Sequence, residues 1–227
     1  MMKIEKRKEK LSLIARHLIL HGSFINNLGL LNGKMGIIIF FYHYAKFTGC
    51  NVYRKFADEL LGELYEEISR NTPMDFGNGL CGIAWGVMYI VRNGFVQADE
   101  DVLGDIDEKI MERDVTRMKD FSVETGLAGI GYYALSRLSV KDGESLLPAC
   151  YMDNVIASLM HSHDKVCLDI YRGCEVRGRD LPARMRDVLI SLLPQDKALT
   201  RIKNLGIANH GYAGIGLNLI LKNDGKD

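Results

Sequence analysis

Asn32-Gly33-Lys34-Met35-Gly36-Ile37, Asn78-Gly79-Leu80-Cys81-Gly82-Ile83, Thr125-Gly126-Leu127-Ala128-Gly129-Ile130 and His210-Gly211-Tyr212-Ala213-Gly214-Ile215 are four copies of one pattern. In each, G-x-x-G-I opens a nearly continuous apolar stretch. The first three recur at steps of 46 and 47 residues, and the fourth follows after 85, close to two steps. That spacing leaves room for a copy between Cys167 and Gly178 that has lost its signature. A single GxxG arises easily by chance, whereas four with the same downstream character make a structural repeat.

The stretches behind the glycines, such as Ile37 to Tyr42 and Ile83 to Val91, are apolar on every side, as expected of helices buried all round. Between the copies lies a second kind of segment. Val52, Phe56, Leu60, Leu64 and Ile68 recur every four residues, with charged Arg54, Lys55, Asp58, Glu59, Glu63, Glu66 and Glu67 between them. That spacing predicts a helix with one buried face. The same reading covers Ile4 to Leu20, Val102 to Met118, Asn154 to Met160 and Ala183 to Leu193. Glycines inside the apolar runs would weaken strands, so the runs are read as helices at 34–47, 80–92, 127–139 and 212–221, with little or no strand. Pro73, Pro148 and Pro182 fall near the proposed boundaries, where helices tolerate them. The unit is an amphipathic outer helix, a loop, GxxG and a buried inner helix. The expected architecture is all-α: one domain over 1–227, an α/α toroid of about five helix pairs with the fourth inner copy degenerate.

Composition narrows the function. Lys plus Arg is 29 and Asp plus Glu is 29, so a net charge of zero gives no footprint for nucleic acid. The motif interiors are apolar except at Lys34, which argues against an RNA-clamping GxxG loop. Ile37 to Tyr42, the most apolar run, is too short for a membrane span. The charged N-terminal segment, broken by Arg16 and His17, does not read as a signal peptide. The five cysteines, at 50, 81, 150, 167 and 174, include no CxxC pair. A reducing, cytoplasmic location is the expectation.

This repeat resembles that of the lanthionine synthetase C-like (LanC-like) family, from about Leu30 to Leu221. The resemblance implies an α/α toroid with GxxG at each inner-helix start. In the family, zinc held by two cysteines and one histidine activates a precursor-peptide thiol, which adds to a dehydrated serine or threonine. Three ligands leave one zinc position open for that thiol. Asn209-His210-Gly211-Tyr212-Ala213-Gly214 echoes the family's Cys-His-Gly-x-x-Gly, so His210 aligns with a ligand and is the candidate catalytic residue. Asn209 stands where the family has cysteine. The family's other cysteine lies two residues before a GxxG, and Leu31, Gly77 and Glu124 occupy that offset here. Cys81 reads as a small packing residue, while Cys167 and Cys174, in the degenerate copy, could stand in for a ligand. No metal or cofactor is therefore expected, with zinc the alternative if the site has been rebuilt.

Asn32, Asn78, Thr125 and His210 precede the four motifs, and Asp75, Glu124 and Asn209 lie just upstream. If the inner helices start on one rim, these side chains could line a substrate-binding mouth. Asn and Thr are also preferred helix N-caps, which is the structural alternative for Asn32, Asn78 and Thr125. Asp75 and Glu124 further admit a glycosidase-type carboxylate pair. The resemblance implies a zinc-less, cyclase-like protein that binds a precursor peptide or a peptide-modifying enzyme. A divergent zinc-dependent cyclase and an inactive shortened remnant are the alternatives. The run Ile215 to Leu221 is apolar except at Asn218, and only Lys222 to Asp227 follow. The stripe Leu11, Ile14, Ala15, Leu18 and Ile19 on the first helix looks too thin to cover it. An open or strained ring whose exposed end pairs with a second copy, giving a homodimer or an aggregation-prone monomer, is the expected consequence.

Overall fold

The computed structural model describes residues 2–99, 102–139, 144–174, 180–195, 204–208 and 210–222. Among these, the regular structure is ten α-helices and two short 3-10 turns, with one isolated antiparallel bridge between Leu138 and Ser145 and no strand. No described helix is long and apolar enough to cross a membrane. The chain falls into two compact units, residues 1–70 with 187–227, and residues 71–186.

In the first unit, α1 (Met2–His21), α2 (Lys34–Thr48), α3 (Asn51–Glu67) and α10 (Tyr212–Leu221) pack together. Helix α2 is the all-round apolar segment, and every residue from Lys34 to Tyr44 is buried. It turns into α3 through Gly49, whose φ of 68° is the left-handed helix stop that glycine adopts without a Cβ penalty. Tyr42 carries its hydroxyl to Asp58 of α3 at 2.6 Å, so the buried ring ends on a polar partner. Lys34 is fully buried, and its Nζ lies 2.6 Å from Glu67 and 3.3 Å from Glu63, one turn apart on α3. The single basic motif residue is thus an internal ion-pair partner.

The expectation of a bare final helix is overturned. Residues Ala213 to Leu221 of α10 are buried, with Leu217 fully enclosed and Leu219 at 6 % exposure. Helices α1 and α2 cover it. Leu11, Ile14, Ala15 and Leu18 supply the contact, whereas Ile19 points outward at 39 % exposure. A narrower stripe suffices because Gly216 lets the ring of Phe40 and the side chain of Ile14 press onto the α10 backbone. Arg7 also donates to the carbonyl of Ile220 at 3.3 Å. An uncovered α10 face is therefore not available as a dimer contact.

The second unit holds α4 (Leu80–Arg92), α5 (Gly104–Met111), α6 (Leu127–Ser136), α7 (Ala149–His161) and α8 (Lys165–Cys174), while α9 (Leu181–Leu192) crosses the division between the units. Helix α6 is central, packing on α4, α7 and α8. The amphipathic segment from Val102 to Met118 is not one helix. It breaks after Met111, because Asp114 accepts from the backbone N–H of Thr116 at 3.0 Å and caps a 3-10 turn at Val115–Arg117. Helix α6 stops at Ser136 rather than reaching residue 139. Just beyond it, buried Arg137 reaches Asp107 of α5 at 2.6 Å, and Tyr133 donates to the same carboxylate at 2.6 Å. Helix α8 lies between the third and fourth motifs and carries no GxxG.

Candidate functional site

The GxxG motifs act through the loops in front of them. A helix start leaves backbone N–H groups without intrahelical partners. Here the preceding loop folds over the start and offers carbonyls. Lys34 N donates to Asn27 O at 2.8 Å, Leu80 N to Pro73 O at 2.7 Å and Leu127 N to Asp120 O at 2.8 Å, each seven residues back. In the fourth copy, Tyr212 N donates to Asn204 O at 3.1 Å, one residue further back, and His210 takes a left-handed φ of 59°. Motif glycines seat this loop. A Cβ on Gly33, Gly79 or Gly126 would collide with the carbonyl of Asn27, Pro73 or Asp120. On Gly36, Gly129 or Gly214 it would collide with Leu30 O, Val123 O or Ile207 O. The φ values of Gly33, Gly79 and Gly126 are −130°, −131° and −108°, open to any residue, so close approach is the reason for glycine there.

Side-chain capping by Asn32, Asn78 and Thr125 is accordingly corrected. The N-caps are Gly33, Gly79 and Gly126, one residue beyond the expected positions, and a glycine has no side chain to cap with. The side chains that shape the loops lie further upstream. Asn27 accepts from Gly29 N at 2.9 Å, Asp120 from Ser122 N at 2.8 Å and Asn204 from Gly206 N at 3.0 Å. These are Asx turns. Sequence reasoning missed all three, although each stands seven or eight residues ahead of its helix. Helix α8, with no GxxG, starts differently: Asp164 accepts from Val166 N at 2.9 Å and Cys167 N at 3.0 Å. A side chain there does what loop carbonyls do elsewhere. Asp164→Ala is expected to lower stability by about 1 kcal/mol, measurable as a shift of the urea midpoint.

The loops meet in pairs. In the first unit, Ile207 N and Ala208 N both donate to Leu31 O, at 2.7 and 2.8 Å, and Asn204 Nδ2 lies 3.3 Å from Asn32 Oδ1. This brings half-buried Asn32 and the loop of half-buried His210 together. Asn209 lies outside the described residues. Tyr212, inside the motif, stacks on His17 of α1 at 4.0 Å between ring centres. Burial and the neighbouring His21 hold His17 below the usual histidine range.

In the second unit, Gly77 N donates to Glu124 O at 2.8 Å, and the Glu124 side chain lies over Gly77. The loops of Asp75 and Asn78 and of Glu124 and Thr125 are thereby joined. The Asp75 carboxylate accepts from Asn78 N at 2.6 Å, and Thr125 donates to Asp120 at 2.5 Å. The Thr125 hydroxyl, then the Ser122 backbone, hold Asp120 below the usual carboxylate range. These polar groups are tied into their own turns. Cys81 is fully buried, and desolvation pushes its thiol up. Cys167 is buried too, its thiol pushed up to about 11 by desolvation.

Glycine-seated loops that feed buried inner helices, with a His-Gly-x-x-Gly copy in the last, define a helical repeat protein of the kind that opens each inner helix in this way. The chain belongs to the lanthionine synthetase C-like family, whose model matches residues 25–227. No curated protein and no solved structure matches the chain.

Of the ligand types the family uses, the fourth motif carries His210, with Asn209 where the family has cysteine. Beside the His210 loop stand the amides of Asn32 and Asn204, and the Asn204 Nδ2 donor faces Asn32 Oδ1 and Ala208 O. An N–H donor is no metal ligand. Among the described residues, no three His, Cys, Asp or Glu side chains are grouped to hold an ion.

Proposed function

We propose that this chain acts in lanthipeptide-type peptide maturation as a zinc-less binding or accessory protein, recognising a precursor peptide or the enzyme that modifies it. The observation that carries this reading is Asn209 beside His210, in a chain of a family whose members carry cysteine at that position. Without the thiolate ligands, no ion is held where a substrate thiol would be deprotonated, and thiol addition loses its activation. Asn32 and His210 on one pair of loops, Asp75, Asn78, Glu124 and Thr125 on the other, and Asn209, next to His210 in sequence, are the polar groups proposed to contact peptide.

The reading is tested with a synthetic peptide carrying cysteine and dehydroalanine, incubated with the purified chain with and without added zinc. Free thiols are then counted by alkylation and mass spectrometry. The expected result is peptide binding by fluorescence anisotropy with every thiol retained. Zinc-dependent loss of thiol that disappears in His210→Asn would overturn the proposal in favour of a divergent cyclase. Absence of any peptide binding would favour the inactive remnant.

A further inference from the structure

We propose that His17 and His21, one turn apart near the C-terminal end of α1, form a two-histidine chelate for a divalent transition-metal ion such as Zn²⁺ or Cu²⁺. Two imidazoles bound side by side to one ion at about 2.0–2.1 Å place their ring centres about 4.5–5 Å apart. The His17 and His21 ring centres lie 4.5 Å apart, with planes inclined at 50°. The spacing is a property of the helix, because residues at i and i+4 share one face.

Three further features favour a cation here. His17 does not have to be ordered for binding, since its ring already stacks on Tyr212 at 4.0 Å and 26°. A ligand fixed by packing before the ion arrives loses less freedom on coordination. His21 is exposed, which leaves the remaining coordination positions to water. The pair also sits in the last turns of a 20-residue helix, where the macrodipole presents its negative end. Imidazole donors with open positions suit the late first-row ions rather than magnesium or calcium. Neither histidine belongs to a GxxG motif, so this site is separate from the family's ligand positions. It nonetheless adjoins Tyr212 of the fourth motif, on which the His17 ring stacks.

The test is calorimetric titration of the full, tag-free, chelator-stripped chain with zinc chloride and with copper sulfate near neutral pH. One ion per chain is expected. Changes to outer-shell partners already cost about 10–100-fold in metal affinity, so loss of a ligand in His21→Gln should weaken binding by more than about tenfold. His21 is exposed, so that variant keeps the fold, which a circular dichroism melt without metal verifies. His161→Gln and His163→Gln should bind as the parent does. Binding unchanged in His21→Gln, or no binding to the parent chain, overturns the proposal. Binding lost in His210→Asn but kept in His21→Gln would also overturn it and would instead assign the ion to the fourth motif. That last outcome alone bears against the zinc-less reading of function, so the two proposals fail separately.

Discussion

Asp107→Leu is expected to cost the protein about 3–5 kcal/mol, because it leaves one partner of a buried ion pair without the other. Arg137 is 1 % exposed and Asp107 8 %, and the pair spans thirty residues of sequence to join α5 to the end of α6. The carboxylate also accepts from the Tyr133 hydroxyl, so its loss takes an acceptor from two buried donors. Burial and this carboxylate push the Tyr133 hydroxyl up. Replacing a whole buried pair by apolar residues of similar volume is often near neutral. Asp107→Leu combined with Arg137→Met should therefore recover most of the loss. Urea unfolding of the three proteins measures this. A single variant as stable as the parent would show that the pair contributes nothing to folding.

The second large effect concerns glycine. Gly79→Ala would place a methyl group onto the backbone of Pro73, including the carbonyl that receives Leu80 N at 2.7 Å. Backbone cannot swing aside as a flexible side chain can. The expected cost is about 3 kcal/mol, the upper end of ordinary overpacking. Gly62, exposed on α3 with nothing within 4 Å of its absent Cβ, is the control. There, Gly→Ala should stabilise by about 0.5–1 kcal/mol through helix propensity and a stiffer unfolded chain. Opposite signs for one substitution in two helices would separate seating from propensity. A neutral Gly79→Ala would mean the loop can lift without loss.

Much of this fold was legible because glycine punctuates it. All four inner helices begin where the motif placed them, at Lys34, Leu80, Leu127 and Tyr212. What escaped was whatever depends on partners distant in sequence. The Asp107–Arg137 pair has no local pattern, since neither residue predicts the other. The cover over α10 came from a stripe of four residues on α1 and from the closeness that Gly216 permits, which periodicity cannot measure.

The candidate site was less legible for a related reason. Asn32, Asn78 and Thr125 stand where a cap is expected from residue type. The loop carbonyls occupy that role first, and carbonyls are invisible in a sequence. Asn27, Asp120 and Asn204 show their function only once the loop is seen folded over its helix.

Those loop carbonyls also bear on how the chain can change over generations. A main-chain oxygen has no codon of its own and survives any amino-acid replacement. The second copy illustrates this, since Pro73 performs the task that Asn27, Asp120 and Asn204 perform elsewhere, although it lacks their side chain. Loop composition can thus drift toward new ligands while the helix starts hold, provided the small residues beneath are kept. The start of α8 differs, because it hangs on the Asp164 carboxylate, a side-chain group that a single missense change can remove.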